Sequence, residues 1–123
     1  TTKSSPTSTG ASYYRENTEF FSNDNIEIIK TTTKRLDDLF QDRTFDIIKI
    51  DVQGCEIDII KGGKRIFQSA TRVYMEVPVD GIEYNLGAPK RREYFQIMED
   101  LGFKKHAFIE NLAGVHEDFV FEK

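Results

Sequence analysis

Much of what would steer a protein to a membrane, a secretory route or a nucleic acid is missing from this sequence. A single cysteine, Cys55, excludes an intrachain disulfide and is compatible with a reducing compartment. No apolar run approaches the roughly 20 residues that a membrane-spanning helix needs. The first segment, "TTKSSPTSTGAS", has no apolar centre and does not read as a secretory signal. There is no Asn-x-Ser/Thr sequon and no internal repeat. A formal net charge of −4 gives no general attraction to nucleic acid or to an anionic membrane. Neither G-x-G-x-x-G nor G-x-x-x-x-G-K-[ST] occurs, so no recognised phosphate-cradling loop is present. These absences together lead to the expectation of a cytoplasmic protein with no nucleic-acid partner and no membrane span.

What is present suits one globular domain. The chain has 123 residues, 38% hydrophobic and 31% charged. A chain of this length buries about two-thirds of its unfolded surface, enough for one core. Residues 1–12, mostly Thr, Ser, Gly and Pro, cannot offset their ordering entropy and are expected to form a flexible N-terminal arm. Residues 13–123 are expected to form a single α/β domain. The aromatics Tyr13, Tyr14, Phe20 and Phe21 suggest contact with a core or a partner.

The β-branched run "IEIIKTTT", 26–33, predicts a strand, and "LDDLF", 36–40, a short helix with Leu36, Leu39 and Phe40 on one face. "FDIIKID", 45–51, is apolar on both faces, the pattern of a central parallel strand covered by helices. "EIDIIKGGKRIF", 56–67, predicts a helix ending near Lys61, a glycine turn, and a further helical turn. "RVYMEVP", 72–78, alternates as a strand that Pro78 closes. "GIEYNLGA", 81–88, reads as a loop. "PKRREYFQIMEDLG", 89–102, is the clearest helix, with Pro89 at its first position, a Tyr94, Ile97, Met98, Leu101 stripe and Gly102 at its end. "KKHAFIE" and "EDFVFE", joined by "NLAGVH", predict an antiparallel hairpin at one sheet edge. Alternating strands and helices argue for an α/β layer fold with a mostly parallel sheet.

In an open α/β sheet, ligands bind outside the carboxyl ends of the strands. Asp51 ends the most apolar strand and Glu76 lies near the end of the next, so neighbouring strands would bring both acids to one crevice. Gly54 allows a sharp turn and a close backbone approach to a ligand. Each residue also has a plainer reading. Asp51 suits a helix cap, Glu56 compensates a helix dipole, and Glu76 suits a solvated or lysine-paired acid. Cys55 reads as a small buried residue rather than a nucleophile. His106 and His116, with Glu117 and Asp118 nearby, do not form a metal-ligand spacing, and no metal is expected. The "KRRE" run, 90–93, places positive charge at a helix start, which is unfavourable, and reads as a solvated face or a contact with an anion.

The pattern "LDDLF…FDIIKIDVQGCEIDIIKGG", followed by "RVYMEVP", resembles the FkbM-like family of S-adenosylmethionine-dependent methyltransferases. Leu36, Asp37 and Leu39 match its Leu-Asp-x-Leu segment. Lys49, Ile50, Asp51, Val52, Gly54 and Glu56 match its strand and turn, Lys61 and Gly62 its helix end, and Glu76 the acid that ends its next strand. "STGAS", 8–12, resembles its Gly/Ser-rich segment, and "LGF" with the hairpin its usual ending. Gln53 stands where the family usually has Glu.

The resemblance implies a partial Rossmann-like, class I methyltransferase sheet and methyl transfer to a small-molecule or sugar hydroxyl. It places Asp51 and Glu76 in catalysis, Asp51, Gln53, Gly54 and Glu56 at the cofactor, and Glu76 and Tyr84 at the acceptor. The family's N-terminal half, with its first strands and glycine-rich loop, is not recognisable here. The chain therefore reads as a C-terminal half, inactive alone and binding S-adenosylmethionine weakly or not at all. The alternative is a non-catalytic half-domain that self-associates or pairs with a companion chain.

Overall fold

A computed structural model describes residues 11–18, 26–109 and 114–123. In chain order the elements are β1 (Arg15–Glu16), α1 (Leu36–Leu39), β2 (Ile47–Ile50), α2 (Glu56–Gly62), α3 (Lys64–Ser69), β3 (Arg72–Pro78), β4 (Asn85–Leu86), α4 (Arg91–Asp100), β5 (Lys104–Ile109) and β6 (His116–Glu122). The main sheet has the order β2-β3-β6-β5, and β1 pairs with β4 in a separate two-stranded ribbon.

The parallel pair expected from the sequence is there: β2 and β3 run in register from Ile47↔Arg72 to Ile50↔Met75. The mostly parallel sheet is not. Pairs β3–β6 and β5–β6 are both antiparallel, so this is a mixed α/β sheet. β6 does not take the edge; it inserts beside β3, and β5 becomes the edge strand. Nor is β2 central among the described residues. It lies at the other edge, with Ile47 61% exposed while Ile50 is buried. Its both-face apolar pattern thus exceeds what these residues cover.

Alternation along β3 sends Val73, Met75 and Val77 inward, where they are buried, and Tyr74 and Glu76 to the opposite face. Phe119 and Phe121 stand directly across from Met75 and Val73, and Phe95 of α4 packs on both. Ile57, Ile60 and Phe67 from α2 and α3 and Tyr94 and Met98 from α4 complete this core. The predicted α4 stripe holds: Tyr94 and Met98 are fully buried, and Ile97 and Leu101 pack against the core margin. Lys90, not Pro89, caps this helix; its N–H donates to the Glu93 carboxylate at 2.8 Å, so Pro89 lies one residue further out. At the other end Gly102 N–H donates to Glu99 O and Phe103 N–H to Met98 O, both at 2.9 Å, which is a Schellman ending.

The Gly62–Gly63 break behaves as expected, with α3 restarting directly after Gly63. Gly63 has no side chain with which to cap α3, and Asp37 of α1 does so instead. Its two oxygens accept the Arg65 and Ile66 N–H groups, each at 3.1 Å. Arg65 in turn donates to the Phe40 and Arg43 carbonyls at the end of α1. A Cβ on Gly63 would sit 3.0 Å from Leu36, so the glycine is needed for this close approach.

Two further expectations change. Residues 27–35 form no strand, and Ile28 and Ile29 are 84% and 65% exposed. β propensity alone does not make a strand where no neighbour offers a ladder. The loop 81–88 contains β4, which pairs with Arg15–Glu16 and so gives regular structure to the segment after Tyr13 and Tyr14. Of the expected arm, residues 1–10 lie outside the described residues, as do Phe20 and Phe21; Ser12 is tied down by donating to the Gln53 carbonyl. Among the described residues no helix is long and apolar enough to cross a membrane.

Candidate active site

The site begins where β2 ends. After Ile50 the backbone turns through Gln53 (φ 56°) and Gly54 (φ 104°), two consecutive left-handed residues. Such a conformation is unstrained for glycine and costs a non-glycine residue of order 1 kcal/mol, so Gln53 must be held. Glu56 does much of the holding. It is 2% exposed and sits beneath the turn. Its Oε1 accepts Val52 N–H at 3.0 Å; its Oε2 accepts Gly54 N–H at 3.0 Å and the Tyr94 hydroxyl at 2.8 Å. Burial and this carboxylate together raise the Tyr94 hydroxyl far above its ordinary value.

Gly54 does leave room for a close approach, but the occupants are the protein's own. A Cβ there would meet Asn85 Nδ2 at 3.1 Å, Tyr14 Cδ2 at 3.2 Å and Ala88 at 3.4 Å. Tyr14 is fixed over the turn by donating to Asp58 at 3.0 Å, and burial with that carboxylate pushes its hydroxyl up to about 12. Burial likewise raises the Cys55 thiol, as suits a packing residue rather than a nucleophile.

Asp51 and Glu76 each follow by one position the residues at which β2 and β3 stop pairing with one another, and they lie side by side at that rim while β3 continues along β6 to Pro78. The Gln53 side-chain amide joins them, donating to Asp51 Oδ1 at 3.1 Å and to Glu76 Oε2 at 3.3 Å. The two acids differ in setting. Asp51 is 44% exposed and lies 3.7 Å from Lys49 Nζ, whereas the Glu76 side chain is 13% exposed. Burial first, then the charges of Asp51, Asp118 and Glu56, push the Glu76 carboxyl up to about 7, against a smaller lowering by Gln53.

Two residues absent from the sequence-based site extend the rim. His116 is 7% exposed; its Nδ1 lies 3.9 Å from Glu76 Oε2, and its ring packs edge-on against Tyr84 with centroids 5.2 Å apart. Burial lowers its basicity, partly offset by Glu56, Asp51 and Asp118. Sequence reading considered His116 only as a metal ligand, because nothing local reveals that β6 inserts beside β3. Arg91, from the "KRRE" run, donates to Glu117 at 2.6 Å and to the Pro78 carbonyl at 3.3 Å and lies over the Phe95 and Phe119 rings. Its charge at the helix start is thereby answered within the fold. Among the described residues no group of three His, Cys, Asp or Glu side chains could hold a metal ion.

A cleft of about 230 Å³ opens beside the rim, with Tyr84, Asn85, Pro78, Arg91, Tyr94 and His116 in its wall. Tyr84 thus reaches the cleft, although its hydroxyl is bonded to Glu16, and burial with that carboxylate pushes it up to about 12. Along the free edge of β2 runs a second, more open groove of about 460 Å³, lined by Leu36, Ile48, Ile50, Asp51, Ile59 and Phe67 among others.

In open α/β sheets ligands commonly bind outside the carboxyl ends of parallel strands, and Asp51 and Glu76 stand at such a rim. The sequence profile of the "Methyltransferase FkbM domain" family matches residues 1–105, and the chain belongs to that family. Its chemistry is accordingly methyltransferase-like. The match ends inside β5, so β6 and His116 lie beyond it. No match was found among curated proteins or among solved structures.

Proposed function

We propose that residues 13–123 form one α/β unit of a class I, Rossmann-like O-methyltransferase acting on the hydroxyl of a sugar or other small molecule. The observation that carries this reading is the Asp51–Gln53–Glu76 chain at the carboxyl rim of the parallel pair, within the stretch that matches the family.

The donor set fits one end of the family's cofactor. S-adenosylmethionine carries a sulfonium and an ammonium, both cations, and its bound form supplies an electrophilic methyl group. Half-exposed Asp51, with Gln53 beside it, is suited to hold the cationic end. Gly54 and Glu56 serve that end indirectly, by shaping the turn and holding it from beneath. Glu76, with its carboxyl near 7, is partly ionised at neutral pH and serves the removal of a hydroxyl proton. Tyr84 forms a wall for the acceptor. The sequence offers no glycine-rich loop for the adenosine. We place that function on strands outside these residues, docked along the apolar free edge of β2.

That edge also supports the second reading, a half-domain that associates with itself or with a companion chain. Exposed Ile47 and the open groove beside it are an unpaired edge and an apolar face at once. Light scattering at high concentration tests it, and a clean monomer counts against it.

Calorimetry with S-adenosylmethionine tests the first reading. Alone, the 123-residue chain is expected to bind no better than about millimolar, since one or two charge-assisted hydrogen bonds must offset the immobilisation of a ligand. A glycine-loop half added in trans should restore binding, and Asp51→Ala should then weaken it. Micromolar binding by the chain alone would overturn this placement of the cofactor.

A further inference from the structure

Glu76 is not in the wall of the 230 Å³ cleft; His116 is. His116 Nδ1 faces the carboxylate at 3.9 Å, longer than a hydrogen bond; catalytic contacts of this kind commonly tighten when substrate binds. Nε2 is therefore the ring nitrogen not directed at Glu76. The edge-on Tyr84 ring, at 81° to the imidazole, fixes the plane in which both nitrogens lie. We propose that His116 is the catalytic group that meets the acceptor in the cleft, taking the hydroxyl proton on Nε2 while Glu76 holds Nδ1–H. The step is a single proton transfer: the acceptor's O–H bond breaks, an Nε2–H bond forms, and the electron pair stays on the oxygen. Glu76 then acts through the imidazole as its orienting carboxylate, the relation of acid to histidine in a hydrolase triad. The inference rests on the reading of the Glu76 rim as the acceptor site.

The surroundings favour this division of labour. Glu56 of α2, Asp51 after β2 and Asp118 on β6 itself place negative charge near the ring, where it steadies an imidazolium. Arg91 of α4, the cation in the same wall, is turned to Glu117 and Pro78. Asp80, Glu83 and Lys90, also in the wall, are exposed. Tyr84 and Tyr94 keep their protons at neutral pH, since both hydroxyls are raised. His116 is buried and neutral at rest, as a proton acceptor must be.

Nitrogen-15 NMR of the 123-residue chain tests this without cofactor or acceptor. His106 is the only other histidine and serves as an internal control. The expected signature is the Nδ1–H tautomer for neutral His116. In Glu76→Ala, which removes the acceptor facing Nδ1, the neutral His116 tautomer should shift toward Nε2–H. His106, paired with Glu122 at 3.1 Å, should not move. An Nε2–H tautomer in the wild-type chain overturns the proposal and needs no variant to fold. An unchanged His116 tautomer in a folded Glu76→Ala chain overturns it as well. Either failure leaves methyl transfer at the rim untouched, because the cofactor titration does not involve His116. Conversely, loss of cofactor binding would leave the tautomer result standing.

Discussion

Replacing Glu56 separates a carboxylate that builds the site from one that meets a ligand. Glu56→Ala would leave three donors without their acceptor: the part-buried Val52 N–H and the buried Gly54 N–H and Tyr94 hydroxyl. Each orphaned buried group costs about 1–3 kcal/mol, and the lost side chain adds a cavity. The three groups alone sum to about 3–9 kcal/mol, a large part of the roughly 5–15 kcal/mol that holds a domain of this size together. Glu56→Gln keeps the shape and one oxygen but turns an amide toward a donor, for about 2–3 kcal/mol. Tyr94→Phe removes one of the three bonds and leaves the carboxylate its two amides, for about 1.5–2 kcal/mol. Urea unfolding followed by far-ultraviolet circular dichroism would read these as falls in midpoint at unchanged slope. A double cycle of Glu56→Gln and Tyr94→Phe should show strong coupling. A Glu56→Gln chain within about 0.5 kcal/mol of wild type would refute the reasoning and return Glu56 to the list of direct ligand contacts.

Gly54→Ala should destabilise by about 1–3 kcal/mol, because φ 104° strains an L residue and the new Cβ meets Asn85 and Tyr14; an unchanged melting temperature would contradict this. Asp37→Ala should cost about 1–2 kcal/mol by uncapping α3, with local amide exchange speeding first at Arg65 and Ile66. Glu76 makes stability depend on pH. Its carboxyl rises from 4.5 to about 7 on folding, so the folded state holds the proton more tightly. Its contribution is full below 4.5 and is lost as pH rises through about 7. Wild type should therefore lose stability relative to Glu76→Gln across that window, and parallel pH profiles would show that Glu76 is not raised.

Local chemistry was the legible part of this sequence. The Gly62–Gly63 break, the α4 stripe and the alternation of β3 each depend on spacing within a few residues, and each is found where the spacing puts it. Long-range order was not legible. The hairpin was visible, but whether its second strand would take an edge or insert beside β3 depends on packing Phe119 and Phe121 against Met75 and Val73, 44 and 48 residues away. Misplacing β6 hid His116, whose neighbourhood to Glu76 is created only by that insertion. The β2 pattern misled in a more informative way. Phe45, Ile47, Ile48 and Ile50 read as buried on both faces, yet Ile47 is 61% exposed at an edge. Likewise Ile28 and Ile29 carry strand propensity with no ladder to join. Ile47 lies on an edge strand of the described sheet. Apolar side chains in a strand pattern are costly to leave in water, about 1.5–3 kcal/mol for each one fully exposed instead of buried. The mismatch between pattern and burial falls at both edges of the sheet, at Ile47 of β2 and at Phe108 and Ile109 of β5, and the β2 edge is where the proposed cofactor-holding strands would have to dock.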